Sequence, residues 1–415
     1  MSVIVLGADG YIGWSLLCRL ALEVEEPIIA VDDLSKRERV ACCGSDSAIP
    51  IEAFDDRIEL LRRTTGRGDI AGVVAGVEDC IEPLVRALKP RVIVNLAQIP
   101  SAPWSMMDVE RAKETIANNE LGNVAVLFAM REHSPRTHLV KMGSMGEYAA
   151  CGVPLGEGYV DAVLDGLPTS APVPFPRAAD DVYHITKIND TNFIAMGCRV
   201  WGLAATDVMQ SIVYGTRTAL WREDPRLATR LDCDPVFGSV LNRFVAQAIS
   251  GAPLTVHAGG RATTGLISLY DSVSALVHWM QHPAAPGEHK VVNQATETRI
   301  SVLEIARLVQ RLGAEQGLDI HLETGLDPRH EAERPGKAGP ARTFKLRQSG
   351  IPTIDLEQGV RYLIQDLLEH RERLGGARLL PGVDWKLGEA RETATANTND
   401  TNSPSARHEM HESMT

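Results

Sequence analysis

Short apolar runs alternate with amphipathic stretches through the first half of the chain. The apolar runs occupy residues 3–6, 28–31, 92–95 and 138–142. The patterns with helical spacing between them occupy residues 14–22, 81–88 and 120–131. Because buried strands that alternate with helices are typical of α/β folds, the pattern predicts a doubly wound parallel sheet covered by helices on both faces.

The pattern changes after residue 207. A polar segment at 216–234 carries four arginines that fit either phosphate ligands or a solvated face, with the solvated face favoured: Arg217, Arg222, Arg226 and Arg230. A helix at 237–249, a strand at 254–257 and helices at 302–312 and 356–370 predict a smaller, mixed α/β domain. Glycine and proline without periodicity at 152–176 indicate a long loop ahead of residue 183.

These changes predict three regions: a first domain at 1–207, a second domain at 208–386 that is partly interleaved with it, and a tail at 387–415. The tail is rich in Thr, Asn, Ser and Glu and has no aromatic residue, so we expect it to be disordered.

Composition narrows the function classes. The 415 residues are 44% hydrophobic and 23% charged, enough to build a sizeable core. The net charge of −12 argues against a nucleic-acid polymer as partner. Seven scattered cysteines without a C-x-x-C pair indicate a reducing compartment, and no segment resembles a signal peptide or membrane span. We therefore expect a cytoplasmic protein without a membrane partner or a metal.

A glycine-rich string, Gly7-Ala8-Asp9-Gly10-Tyr11-Ile12-Gly13, lies between the first apolar run and the first helical pattern. Gly7, Gly10 and Gly13 let a backbone approach a pyrophosphate, which the N–H groups at the start of a helix favour. With Tyr11 and Ile12 they form the predicted cofactor turn of a Rossmann-type sheet.

The second apolar run ends in Asp32, at the distance from the turn where a carboxylate binds the adenine ribose hydroxyls. Such a carboxylate repels a 2′-phosphate, so NAD is favoured over NADP. Lys36 and Arg37 follow closely and weaken this preference, because a 2′-phosphate needs a nearby cation. The alternative is that the glycines only shape a turn and Asp32 caps a helix.

Tyr183 and Lys187 lie four residues apart and therefore on one face of a predicted helix. A tyrosine acts as a base near neutral pH only when its phenolate is stabilised, and a lysine one turn away does this. Ser144 follows the strand at 138–142, at the sheet edge where ligands bind. Together these three residues predict hydride transfer to or from a nicotinamide.

Strings along nearly the whole chain resemble the extended short-chain dehydrogenase/reductase superfamily, whose members modify nucleotide sugars, and within it the sulfoquinovose-synthase branch. They lie at 7–14 (GADGYIGW), 101–106 (SAPWSM), 118–119 (NN), 140–148 (VKMGSMGEY), 183–187 (YHITK), 230–232 (RLD), 236–238 (VFG), 241–244 (LNRF), 253–256 (PLTV) and 384–386 (DWK).

The resemblance implies roles for particular residues. Tyr183 is the base that oxidises the sugar C4 hydroxyl, with Ser144 and Lys187 beside it. Glu147 and His184 are candidate proton-transfer groups that fit structural hydrogen bonding equally well. The further residues implied to bind NAD are Asp33, Arg37, Ala97, Asn118 and Gln210. Those implied to bind the nucleotide sugar are Ser101, Trp104, Met145, Asn242, Arg243, Thr255, Val256 and Arg329.

The chain also departs from the superfamily's motifs. Gln98-Ile99-Pro100 stands where the sulfoquinovose-synthase branch reads Glu-Gln-Arg, so a sulfite-binding arginine is missing. Thr263-Thr264-Gly265 lacks an arginine for the diphosphate, and Gly76-Val77-Glu78-Asp79 replaces the Gly-Asp that meets adenine. Met145-Gly146 occupies the places of the acidic pair of sugar 4,6-dehydratases, which makes that activity unexpected.

We therefore expect an NAD-dependent nucleotide-sugar C4 epimerase that works through a transient 4-keto sugar. The alternatives are a sulfoquinovose synthase, which uses UDP-glucose and sulfite, and a catalytically silent NAD-binding regulator. The resemblance also implies a homodimer joined through helices at 109–131 and 181–202.

Overall fold

A seven-stranded parallel sheet forms the centre of the protein in the computed structural model, which describes residues 1–149, 151, 155–256, 258–295, 299–324, 343–351, 353–375 and 379. The strands are β1 (Val3–Leu6), β2 (Ile28–Asp32), β3 (Ile70–Val74), β4 (Val92–Asn95), β5 (His138–Ser144), β6 (Ala204–Gln210) and β7 (His289–Gln294). Their order across the sheet is β7-β6-β5-β4-β1-β2-β3, and all six pairings are parallel.

This order is that of a doubly wound Rossmann-like sheet, which confirms the predicted fold class. After β1 the chain forms β2 and β3 on one side of β1, and it then crosses over to form β4 on the other side. The carboxyl ends of β1 and β4 therefore lie beside a topological switch point. The residues of β1 and β4 are fully buried, as the continuous apolar runs predict. The strands β3, β6 and β7 were not predicted as strands.

Helices cover both faces of the sheet. In chain order they are α1 (Tyr11–Glu23), α2 (Ser35–Cys42), α3 (Phe54–Thr65), α4 (Val77–Leu88), α5 (Ala102–Met106), α6 (Val109–Ile116), α7 (Gly122–His133), α8 (Val182–Trp201), α9 (Val240–Ser250), α10 (Leu269–Gln281), α11 (Val302–Ala314), α12 (Phe344–Gln348) and α13 (Leu356–Leu368). A π-helical turn, Ala117–Leu121, joins α6 to α7.

A second apolar core lies among α9, α11 and α13 and includes Phe244, Val309 and Leu363. Short strand pairs accompany it, Leu254–Val256 with Leu322–Thr324 and Ile212–Tyr214 with Leu266–Ser268. Residues 1–383 form one compact unit, in which the predicted boundary at 207 falls within β6 of the large sheet. The two-domain division stays a prediction, and the predicted tail at 387–415 lies outside the described residues.

The segment predicted as a loop contains regular structure. Within the described part of 152–176, Tyr159–Val160 pairs with Val173–Pro174, and Val163–Leu164 pairs with Leu167–Pro168, both antiparallel. Each strand has only two residues, too few for the alternation of apolar and polar positions that reveals a strand in a sequence. The predicted long loop therefore contains two short antiparallel strand pairs within its described part.

The glycine-rich turn packs tightly against its own backbone. Gly7 has φ +79°, and a Cβ there would meet the backbone of Leu96 at 2.6 Å. A Cβ on Gly13 would overlap the carbonyl oxygen of Gly7. The first turn of α1 therefore lies directly on the loop that follows β1, and only glycine permits that approach.

We predict that Gly13→Ala lowers the free energy of unfolding by about 1–3 kcal/mol, because its methyl group must displace the Gly7 carbonyl. Urea unfolding of the NAD-free protein, followed by circular dichroism, measures this. Gly68→Ala is the matched control: a Cβ there meets nothing within 4 Å, so the unfolding midpoint should not change. Equal midpoints for both variants would contradict the close packing of the turn.

Candidate active site

Ser144 is the last residue of β5 and stands opposite Gln210 of β6, at the carboxyl edge of the sheet. The Gly146 amide donates to Ser144 Oγ at 3.0 Å, and the Ser144 amide donates to Glu147 Oε1 at 3.0 Å. These bonds start a short 3₁₀ helix, Met145–Tyr148, and fix the hydroxyl at its N-terminus. The sequence therefore placed Ser144 correctly at the end of a central strand.

Tyr183 and Lys187 lie one turn apart on α8, which is capped by Asp181. The Lys187 ammonium lies 5.7 Å from the centre of the Tyr183 ring. It donates to the Met142 carbonyl at 2.6 Å and to Gln98 Oε1. The structure thus brings Ser144, Tyr183 and Lys187 to one edge of the sheet, as the catalytic hypothesis requires.

Burial raises the pKa of Tyr183, and the nearby carboxylate of Asp181 raises it further, whereas a hydrogen bond with the Ser144 side chain lowers it. Burial also lowers the pKa of Lys187, and the Lys141 ammonium adds to this effect. Both groups therefore favour their neutral forms when the site is closed to water. A Tyr183 phenolate beside a Lys187 ammonium therefore needs further charged groups nearby to stabilise it, and the side chains around this site provide such charges.

Glu147 is fully buried and engaged on both oxygens. Oε1 accepts the Ser144 amide, and Oε2 accepts the Thr191 hydroxyl at 3.2 Å. The Arg177 guanidinium lies 3.2 Å from Oε2. Between the two roles that the sequence left open, this geometry favours a structural one, in which Glu147 holds the turn below Ser144.

His184 forms a dyad with Asp181. Its Nδ1 lies 2.7 Å from Asp181 Oδ2, and its backbone amide donates to Asp181 Oδ1 at 2.9 Å. A Cβ on Gly146 would collide with His184 Nε2, so the ring lies directly over the glycine that follows Met145. The carboxylate orients the ring and leaves Nε2 facing the 3₁₀ turn, as in an acid–base dyad.

The start of α1 fits a pyrophosphate. Gly10 is its N-cap and contributes no side-chain cap, so the amides of Tyr11 and Ile12 are presented by a bare helix N-terminus. The Tyr11 hydroxyl donates to the Gly215 carbonyl, and the Thr229 hydroxyl donates to the Tyr11 carbonyl at 2.7 Å. The segment after residue 228 therefore lies against the turn.

Asp32 fits the ribose of a dinucleotide that lacks a 2′-phosphate. It accepts the amides of Asp9 and Leu34 at 2.9 and 2.8 Å, and burial raises its pKa to about 6. Arg37 donates to Asp9 at 2.7 and 2.8 Å, and the Lys36 ammonium lies 3.3 Å from Asp232. Both cations that weakened the preference for NAD are thus already paired with carboxylates.

The other residues predicted to bind the cofactor are hydrogen-bonded to neighbouring parts of the protein. Asn118 donates to the Ala97 carbonyl at 3.5 Å, and Gln210 Oε1 accepts from Ser272 Oγ and Gln294 Nε2 at 2.8 Å. The carboxylate of Asp33 is exposed and accepts from the backbone and hydroxyl of Ser35. Their contacts with a cofactor stay predictions.

Most side chains predicted to bind the substrate are buried and already engaged. Ser101 Oγ accepts the Trp104 amide and donates to the Val236 carbonyl, and Trp104 Nε1 donates to Glu114. Asn242 Oδ1 accepts a hydrogen bond from the Gly215 amide, and Thr255 Oγ1 accepts one from the Gln247 side chain. Val256 is buried, whereas Met145 and Arg243 are half-buried. Arg329 lies outside the described residues.

The four arginines of the polar segment divide into different environments. Arg222 and Arg226 are exposed, as a solvated face predicts, and Arg217 pairs with Asp366 at 2.9 Å. Arg230 is 2% exposed and pairs with Asp232 at 2.8 Å. Its Nη1 has no hydrogen-bond partner within the described part of the chain.

For Arg230 the sequence left a phosphate role open while favouring a solvated face, and its buried position is instead suited to a phosphate. It follows Thr229, which is bonded to the first residue of α1, and it shares Asp232 with Lys36. A buried guanidinium group with an unused N–H donor beside a phosphate-binding turn matches the charge of a dinucleotide pyrophosphate.

Sequence reasoning also missed Gln98, Lys141, Asp181 and Asp190. Lys141 offered a signal, because it is a charged residue inside the apolar run at 138–142. Asp190 offered a weaker one, three residues beyond Lys187 on the same helix. Neither signal identifies a partner, since the contacts join segments that are distant in sequence.

Residues 3–295 match the model of the NAD dependent epimerase/dehydratase family. The UDP-sulfoquinovose synthase of Sulfolobus acidocaldarius is 38% identical over 391 residues, which are 93% of this chain and 98% of that protein. The chloroplastic UDP-sulfoquinovose synthase of Spinacia oleracea is 34% identical over 391 residues, 92% of this chain and 79% of that protein.

Among solved structures, the UDP-glucuronic acid 4-epimerase of Bacillus cereus, in complex with UDP-glucuronic acid and NAD, has a TM-score of 0.63. It is 16% identical, and the match covers 89% of this chain and 99% of that chain. At this identity the likeness shows the shared fold alone.

We predict that Arg230→Met raises the dissociation constant of NAD about tenfold or more, since a hydrogen bond to a charged group contributes about 1.5–3 kcal/mol. Calorimetric titration of the NAD-free protein measures this. Arg226→Met is the control, because Arg226 is exposed and pairs with Asp224 beside it. An unchanged NAD affinity in Arg230→Met, with weaker binding of the nucleotide sugar, would assign the guanidinium to the substrate's diphosphate instead.

Proposed function

The chain belongs to the NAD dependent epimerase/dehydratase family, and on this basis we propose that it oxidises C4 of UDP-glucose and carries the 4-keto sugar on to the addition of sulfite. This is the reaction of a UDP-sulfoquinovose synthase. The supporting similarity extends over nearly the whole of both chains for the archaeal relative.

The proposal reverses the preference drawn from the sequence. A C4 epimerase was preferred because Ile99 and Pro100 replace a glutamine and the sulfite-binding arginine. The likeness to solved UDP-sugar 4-epimerases, at 13–17% identity, concerns the fold alone and supports that activity less strongly. The chain is an NAD-dependent nucleotide-sugar enzyme in either case.

The first step needs Ser144, Tyr183 and Lys187. The Ser144 hydroxyl orients the sugar's C4 hydroxyl, and Tyr183 removes the proton from that oxygen. The positive charge of Lys187 lowers the cost of forming the tyrosine phenolate. NAD, when bound, accepts the hydride from C4. The product of this step is a 4-keto sugar, whose C5 proton is acidified by the adjacent carbonyl.

The observation that carries the second step is the Asp181–His184 dyad. Epimerisation needs no base other than Tyr183, whereas elimination needs a group that takes the C5 proton and returns it to the departing C6 hydroxyl as water. His184 Nε2, oriented by Asp181 and facing the turn at Gly146, is suited to both transfers. Sulfite then adds at C6, a proton returns to C5 and the hydride returns to C4.

A C4 epimerase remains the second candidate because of one feature of the substrate wall. Ile99 is buried in an apolar cluster with Trp104 and Val236, and the exposed Pro100 offers no cation. An anion such as sulfite needs a compensating charge or several donors when it leaves water.

The experiment that separates the two reactions is incubation with UDP-glucose in deuterated water, with and without sulfite. A sulfonated product that forms only with sulfite and carries deuterium at C5 supports the synthase. A product of unchanged mass with inverted C4, without deuterium, would establish the epimerase. Mass spectrometry measures the mass of each product, and proton nuclear magnetic resonance measures its configuration at C4 and its deuterium content.

We predict that His184→Gln retains C4 oxidation but loses at least about 100-fold in sulfonated product, because general acid–base groups contribute about 10²–10⁴-fold. Reduction of bound NAD reports the first step, and mass spectrometry reports the second. His282→Gln is the control, an exposed histidine on a distant helix end. If His184→Gln loses both steps equally, the dyad has no separate role in elimination.

We further propose that the protein is a homodimer. Two neighbouring helical segments, joined by a hydrogen bond of 2.9 Å between Asn189 and Glu120, expose large apolar side chains that are 41–62% accessible. These side chains are Val109, Ile116, Leu121, Phe128, Ile185 and Val200. An exposed apolar face of this kind is typical of an association surface.

We predict that the double variant Leu121→Asp/Val200→Asp is monomeric at micromolar concentration, because each buried carboxylate would have no partner. Sedimentation equilibrium measures the mass. Leu22→Asp is the control, since Leu22 is equally exposed on α1. A wild-type protein that sediments as a monomer would contradict the proposed dimer.

A further inference from the structure

Three charged side chains, Lys141, Asp190 and Asp207, are buried close to Lys187, on β5, α8 and β6. The Lys141 ammonium of β5 is inaccessible to solvent and lies 3.8 Å from Asp190 Oδ2 and 3.7 Å from Asp207 Oδ1. It also donates to the Lys187 carbonyl at 3.3 Å. Charges this deep in a protein are costly unless each has a partner.

Gln98 connects this group to the catalytic lysine. Its Nε2 donates to Asp190 Oδ2, and its Oε1 accepts from Lys187 Nζ. With the amide turned around, the NH₂ group would face the Lys187 ammonium and the oxygen would face the carboxylate. Both contacts would then be repulsive, so Asp190 fixes which end of Gln98 meets Lys187.

We propose that Gln98 and Asp190 are positioning residues that hold Lys187 as a charged group beside Tyr183 without touching the substrate. The proposal rests on the role of Lys187 in the proposed function. It adds that the buried Asp190 carboxylate, which is linked to Lys187 through the amide of Gln98, keeps the catalytic lysine charged.

The electrostatic surroundings support a maintained charge. Burial and Lys141 lower the pKa of Lys187, and the Asp190 carboxylate raises it, followed by Glu147 and Asp207. Titratable groups around Lys187 come from several elements packed near it. They are Tyr183 and Asp190 on α8, Lys141 on β5, Glu147 in the 3₁₀ turn, Asp207 on β6, His289 on β7 and Arg177 in the segment before α8. Asp190 is the carboxylate linked to Lys187 by a hydrogen-bonded side chain.

The most direct test follows the protonation of Lys187 by carbon-13 nuclear magnetic resonance in protein labelled at lysine Cε. The Lys187 signal is assigned by its absence from the spectrum of Lys187→Met. In Gln98→Leu and Asp190→Asn the ammonium loses an acceptor or a nearby negative charge. Its titration midpoint should therefore fall by about one pH unit or more. In Gln98→Glu, which keeps an acceptor, the midpoint should lie at or above that of the wild type.

The control is Thr206→Val, which removes a buried hydrogen bond of 3.0 Å to His138 on the same two strands, away from Lys187. It should leave the midpoint unchanged. Unchanged midpoints in both Gln98→Leu and Asp190→Asn would overturn the proposal. This measurement needs no turnover, so it remains decisive if sulfite chemistry is absent.

A second readout is the pH dependence of C4 oxidation, seen as reduction of bound NAD in a single turnover. Activity that requires charged Lys187 is lost as the pH rises through its pKa. The alkaline limb should therefore move to lower pH in Gln98→Leu and Asp190→Asn. A uniform loss of rate at every pH, with the limb in place, would indicate a structural role only and contradict the proposal.

Discussion

The chemistry of this site depends on a buried ammonium that must keep its charge. Lys187 is surrounded by protein, which favours the neutral amine, yet a neutral amine would not stabilise a phenolate on Tyr183. The carbonyl of Met142, the amide of Gln98 and the carboxylates below them oppose the effect of burial. Those acceptors come from the segment after β4, from β5, from β6 and from α8, so the order of strands in the sheet is what brings them together.

The same sheet edge holds the groups assigned to both steps of the proposed reaction. Ser144 ends β5 and begins the 3₁₀ turn, while Gly146 leaves room for the His184 ring above it. The groups proposed for oxidation and for elimination therefore lie beside the same short turn. Glu147, below the turn, fixes the geometry of Ser144.

The sequence was sufficient for features whose signal is local. The turn from Gly7 to Gly13 predicted β1, α1 and the dinucleotide site, and the spacing of Tyr183 and Lys187 predicted their shared helix face. It was not sufficient for features that join distant segments. The pairing of Arg37 with Asp9, the burial of Arg230 and the link from Asp190 through Gln98 to Lys187 each depend on the tertiary fold. The strands β3, β6 and β7 were missed because small or polar residues interrupt them.

We propose that C4 of the nucleotide sugar is oxidised at the Ser144–Tyr183–Lys187 site with NAD as acceptor. The most direct measurement is rapid mixing of the NAD-loaded protein with UDP-glucose, unlabelled or deuterated at C4, in the absence of sulfite. We expect absorbance of reduced nicotinamide that forms more slowly with the deuterated sugar, and no such absorbance in Tyr183→Phe. Conversion of the sugar without reduction of the cofactor, or without an isotope effect on that reduction, would contradict it.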